Sequence, residues 1–209
     1  MTGKSKEFTH LDFENYIKIE RGYAIIPSPD EKYKTLPDIY ARLCSVIYFA
    51  CCIGEKSDRA CISNSARNEA LIRAALSEFI ALDDFIYKTY GRRLWFNDHT
   101  NTDPIFHMLK LLRNYNIHIS SSVIDSEPMQ VRWLYEPEKI LTMDKYFISN
   151  LNLESLARLD NAKKYLSQLP MMIDAFEEQQ HMFGICTLIM KCTLVNTACL
   201  DVLLPHRNK

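Results

Sequence analysis

The sequence predicts an all-α protein in the main: a helical bundle with one small β-hairpin inserted near 119–135. Three observations carry this. Apolar residues recur at helical spacing over most of the chain after residue 35. Only 5 Gly and 8 Pro occur in 209 residues, too few for an all-β protein rich in turns. Period-two, β-branched patterning is confined to one stretch, 119–135.

The first helix is expected from Thr35, with Pro37 suited to its first turn. Ile39, Leu43, Val46, Ile47 and Ala50 mark its buried stripe, and Gly54 its end. A longer helix follows, capped by Ser63 or Ser65 and stopped by Gly91. Asp103-Pro104 opens a third, cap followed by first-turn proline. Its apolar face is Ile105, Met108, Leu109 and Leu112, and it ends around His118. The hairpin reads as two short strands, 119–124 and 129–135, around a turn at Asp125-Ser-Glu-Pro128. Helical pattern resumes at Leu153, with Asn152 as cap, and runs to about Leu169. Pro170 opens a final helix reaching about Leu204. The domain reading is an N-terminal extension, 1–34, and a helical domain, 35–209.

Composition excludes several classes. Hydrophobic residues make up 47% and charged residues 24%, an ordinary globular balance. There is no Gly-rich phosphate loop of either the dinucleotide or the P-loop kind. The 25 Lys+Arg and 26 Asp+Glu nearly cancel, which argues against a constitutive DNA coat but leaves room for a local basic cleft.

The seven cysteines (Cys44, Cys51, Cys52, Cys61, Cys186, Cys192 and Cys199) are odd in number and sit mostly in apolar helical runs. They read as reduced core residues of a cytoplasmic protein. The C-x6-C-C-x8-C spacing lacks the paired knuckles of a zinc site, so neither metal nor cofactor is expected. Residues 182–204 are long and apolar enough for a membrane span. Lys191, Asn196 and Asp201 interrupt them, and a buried bundle helix is the expectation.

The peptide Leu111-Leu112-Arg113-Asn114-Tyr115-Asn116-Ile117-His118 stands apart. Arg113 and His118 lie five residues apart at the end of an amphipathic helix, with an amide directly after the arginine. This resembles the R-x4-6-H signature of the HEPN superfamily, in the Arg-Asn form of its ribonuclease members. The helix order over about 35–205 agrees with HEPN bundles. The resemblance implies metal-independent endonucleolytic cleavage of RNA, usually single-stranded, by a homodimer whose two motifs share one cleft. It also implies a toxin–antitoxin or phage-defence setting, which admits an antitoxin or a nucleotidyltransferase as partner. Other members are non-catalytic regulatory or nucleotide-binding modules.

The residue chemistry is consistent with this on its own terms. RNA supplies its nucleophile, the 2′-OH. An imidazole such as His118 moves protons near neutral pH. The Arg113 guanidinium offers a fork of donors to phosphate oxygens, and Asn114 can orient either group. On a regular helix Arg113 and His118 are roughly 140° apart around the axis. Either the helix loosens at the motif, or two chains each contribute around a two-fold axis.

Glu78 falls on the apolar face of the second helix, with Ala75, Leu82 and Leu71 as helical neighbours. A carboxylate there needs a partner. Arg113 is one candidate, which would make Glu78 the group that orients it; Arg42 and Arg73 are others. Asp83 and Asp84 are expected in solvent, as are the Arg92-Arg93 and Lys163-Lys164 pairs. Tyr115 can stack on a base or pack. His99 and His107 read as surface or core residues, and His206-Arg-Asn-Lys209 as a basic tail.

Overall fold

Caps and prolines punctuate the helices where local chemistry dictates. A computed structural model of the chain describes residues 10–23, 25–56, 62–95, 101–118, 120–133 and 135–205. Helix α1 is Pro37–Cys51, opened by its proline. Helix α2 is Asn64–Tyr90; the Ser63 hydroxyl accepts from Ala66 N at 3.2 Å, and Gly91, at φ 68°, closes the helix. Helix α3 is Pro104–His118. At its start Asp103 accepts from Ile105 N at 2.8 Å and from Ile17 N at 2.7 Å. One carboxylate thus caps the helix and anchors the segment before α1. Burial pushes the Asp103 carboxyl up, against backbone donors that favour its charge.

The expected stripes are the core. Ile39, Leu43, Val46, Ile47 and Ala50 are buried, as are Ile105, Met108, Leu109 and Leu112. Phe79 of α2 meets the Trp95 ring edge-on at 5.4 Å, so the chain after Gly91 folds back onto its own helix. The segment before α1 joins the same core through Ile19 and Tyr33. The Tyr33 hydroxyl donates within reach of Thr197 O (2.7 Å) and Asp201 Oδ1 (2.5 Å), tying the 3-10 turn Glu31–Thr35 to the 3-10 turn Thr197–Leu203.

Three parts differ from the sequence reading. The hairpin is larger and lies further on: β1 is Ile124–Trp133, β2 is Glu136–Ile148, and they pair antiparallel. Asp125-Ser-Glu-Pro128 is therefore strand, not turn, and Pro128 lies opposite Asp144. In a two-stranded ribbon every second N–H points outward, so a proline can sit there without losing a ladder bond. The region 153–169 is a short helix, α4 (Leu153–Ala157), followed by the 3-10 turn Asp160–Tyr165. Asn152 caps α4 by accepting from Ser155 N at 3.0 Å. The final helix, α5 (Leu169–Asn196), is broken at Phe183–Gly184, where Gly184 adopts φ 87°, ψ 161°.

That break is where β2 crosses α5. A Cβ on Gly184 would meet the backbone O and N of Tyr146 at 3.0 and 3.2 Å. One turn earlier the fully buried Gln180 clasps Ile148. Its Oε1 accepts from Ile148 N, and its Nε2 donates to Ile148 O, both at 2.9 Å. The span Leu169–Leu203 is long and apolar enough to cross a membrane, yet half of its most apolar window is buried inside the protein.

Gln180→Leu should leave two buried backbone groups unpaired, at about 1–3 kcal/mol each. Gly184→Ala should cost about 1–3 kcal/mol, because that backbone region is essentially glycine-only. Urea midpoints unchanged from the parent in both variants would show that this crossing does not hold the fold.

Candidate functional site

Helix α3 is sandwiched by α2 and α5, and most of its side chains are buried. Its side chains that reach solvent, at least in part, are Lys110, Arg113, Ile117 and His118. The first three follow helical spacing along one stripe. Arg113 therefore sits on the accessible strip of a core helix, and His118, exposed, is the last residue of α3.

The arrangement around Arg113 is local. Its Nη1 donates to Asn114 Oδ1 at 2.8 Å. Its Nε is buried and has no hydrogen-bond partner. Among the described residues no carboxylate pairs with it. Asn114, itself buried, fixes the direction of the guanidinium. The neighbouring Asn116, to which the sequence reading gave no role, is structural. Its Nδ2 donates to Leu112 O at 2.8 Å, and its Oδ1 accepts from Ser122 N at 2.7 Å. Asn150 adds a second tie to the same loop, donating to Ser121 O and accepting from Val123 N, both at 3.0 Å. The two amides hold the chain leaving α3 in place. Tyr115 is buried packing.

Glu78 is not brought to Arg113. It pairs with Arg42 of α1 at 3.3 Å, across the α1–α2 seam, with both side chains about one-third exposed. The helical-face argument correctly located a half-buried carboxylate but did not choose among arginines. Asp83 is also corrected: it is buried and paired with Arg93 at 2.5 Å, because the reversal at Gly91 returns Arg93 to α2. Asp84, further out, lies 3.5 Å from the same arginine. Lys163 pairs with Asp160 at 2.6 Å, and Lys164 lies over the Tyr165 ring.

His107 is a core histidine. Its Nε2 lies 2.7 Å from Asn101 O, which can only accept, so Nε2 donates; Nδ1 is hydrogen-bonded to the Tyr165 hydroxyl at 2.6 Å. His99, Cys61 and the 206–209 tail lie outside the described residues. The helix does not loosen at the motif: α3 stays α-helical through His118. Arg113 and His118 thus leave the axis in different directions, and one chain does not aim both at one phosphate.

Among the described residues no three His, Cys, Asp or Glu side chains converge as metal ligands. Four thiols are held protonated by burial: Cys51 is pushed up to about 11, Cys186 and Cys199 to about 12, and Cys192 upward. Comparison with protein-family models, with curated proteins and with solved structures gives no match.

Since the thiolate is the reactive form, these four cysteines should alkylate slowly at pH 7.5, with rates rising only as pH approaches the raised values. Peptide-resolved iodoacetamide labelling checks this. Rapid labelling of the native protein at neutral pH would contradict the burial that raises them.

Proposed function

We propose that the chain is a HEPN-type endoribonuclease that cleaves single-stranded RNA by 2′-OH attack, with each site completed by two copies of the chain. The observation that carries this reading is Arg113. It is a half-buried cation with no carboxylate partner among the described residues, aimed by Asn114, on the accessible strip of a helix that ends in an exposed histidine. An uncompensated guanidinium of this kind favours a bound oxyanion. The divergence of Arg113 and His118 favours a second chain, which brings one copy's histidine toward the other's arginine across a two-fold axis.

In the proposed reaction His118 accepts the 2′-OH proton as the oxygen attacks phosphorus. Arg113 offsets the negative charge that builds on the non-bridging oxygens. The P–O5′ bond breaks, and the departing 5′-oxygen takes a proton from the partner copy's imidazolium or from water. The products are a 2′,3′-cyclic phosphate and a 5′-hydroxyl. Asn114 touches no reacting atom and acts as a positioning residue. Glu78, engaged with Arg42, has no part in the step.

His118→Ala and Arg113→Ala should each lower cleavage about 10²–10⁴-fold, with folding unchanged by circular dichroism. Asn114→Ala should be milder, and Glu78→Gln should cut at the parent rate. Activity should persist in EDTA and vanish on RNA whose 2′-OH groups are methylated. The protein should scatter light as a dimer at micromolar concentration. If the methylated RNA is cut, or His118→Ala cuts as well as the parent, the mechanism is wrong; a HEPN-like binding module without catalysis then replaces it.

A further inference from the structure

A cavity of about 540 Å³ lies between the segment before α1 and the second half of α5. It is lined by Lys18, Ile19, Glu20, Arg21, Tyr23 and Lys191. Its walls are set by the core. Ile19 is buried, with its N–H donated to Gln179 Oε1 at 2.7 Å. Gly22 passes against the Phe183 ring, close enough that a Cβ would lie 3.1 Å from it. These two contacts fix the segment on α5 and turn the residues between and beside them toward Lys191.

The lining is cationic. Lys18, Arg21 and Lys191 face one carboxylate, Glu20, and among the described residues none of the three forms an ion pair. Lys18 lies over the Tyr16 ring, 5.4 Å from its centre. Lys191 is the informative member. It is half-buried in a long, apolar helix, where a charge without a counter-ion is costly. Tyr23 adds a neutral donor: burial pushes its hydroxyl up, against the nearby Arg21 charge. The volume falls in the range of small-ligand sites and suits a mononucleotide. A nucleic-acid strand would need a groove that continues beyond these six residues.

We propose that this cleft binds a small phosphate-bearing anion, of pyrophosphate to nucleoside-triphosphate size, with Lys18, Arg21 and Lys191 on its phosphate oxygens. Tyr23 supplies a hydrogen bond or a face to stack on. Glu20 opposes the ligand and limits its affinity. The occupant would clamp the segment before α1 onto α5. This site is independent of the proposed RNA cleavage and shares no residue with it.

The test uses the full-length His118→Ala chain in EDTA, so that RNA hydrolysis does not interfere. Calorimetry and thermal shift are run with inorganic phosphate, pyrophosphate, ATP, adenosine and a short RNA hexamer. Pyrophosphate and ATP should bind and raise Tm, and adenosine should not. Arg21→Gln and Lys191→Met should each weaken binding about tenfold or more, as charge-assisted contacts are lost. Glu20→Gln should tighten it. Arg21 is exposed, so its variant keeps the test decisive if Lys191→Met perturbs folding. Absence of binding by pyrophosphate and ATP at millimolar concentration would overturn the proposal. So would binding unaffected by Arg21→Gln, or binding of the hexamer alone.

Discussion

A strand crosses the middle of a long helix, and the protein is arranged around that crossing. A side chain at position 184 of α5 would meet the backbone of β2 at Tyr146. The break at Phe183–Gly184 interrupts the regular helix over two residues where Tyr146 passes, and the missing Cβ lets backbone approach backbone. Gln180 then replaces the lost regularity with a bidentate amide clasp on Ile148. Its neighbour Gln179 performs the same service on a different side, accepting from Ile19 N. Adjacent helical residues point about 100° apart, so two consecutive glutamines fasten two separate segments to one helix. Both side chains are buried, and a buried amide is tolerable only when paired.

The end of α3 is tied down by amides in the same way. Helix α3 packs on α5 and α2. The chain leaving it has few residues in which to reach β1. Asn116 and Asn150 fill that interval with side-chain bonds to backbone, so the loop is held although it belongs to no helix or sheet. The direction of the Arg113 guanidinium is set within the same turn by Asn114. The geometry around Arg113 is therefore set by buried amides on core positions.

What the sequence made legible is what is local. Ser63, Gly91, Pro104 and Asn152 act within three or four residues of themselves, as does Asp103 in its capping role, and each begins or ends a helix as its chemistry demands. The apolar stripes of α1 and α3 are legible for the same reason. The hairpin lies further on than the sequence pattern indicates because 136–144 is exposed except for the half-buried Leu141, and a ribbon with both faces in solvent has no need to alternate polarity. Asp125-Ser-Glu-Pro128 then offered the better turn chemistry. Gly184 was hidden because a lone glycine inside an apolar run does not disclose its φ. The partner of Glu78 depended on which arginine α1 carried across the seam, a tertiary fact. Arg113, Asn114 and His118 were nameable from spacing, but their relation depended on whether α3 stays helical to its last residue.

The distribution of charge bears on function more than its sum. Many cations of this nearly neutral chain are spent on neighbours: Arg42 on Glu78, Arg93 on Asp83 and Asp84, Lys145 on Glu127, Arg158 on Glu154. Arg113 and Lys191 are different. Each is half-buried on a helix of the core, α3 or α5, and neither has a carboxylate partner among the described residues. Removing a charge from water without a counter-ion works against folding. Replacing either by an apolar residue would relieve that cost at once. At both positions a bound anion would be screened less by the surrounding protein than it would be by water at an exposed lysine. A net charge near zero hides such places: a local field is set by which charges lack partners, and two of the half-buried ones lie on α3 and α5.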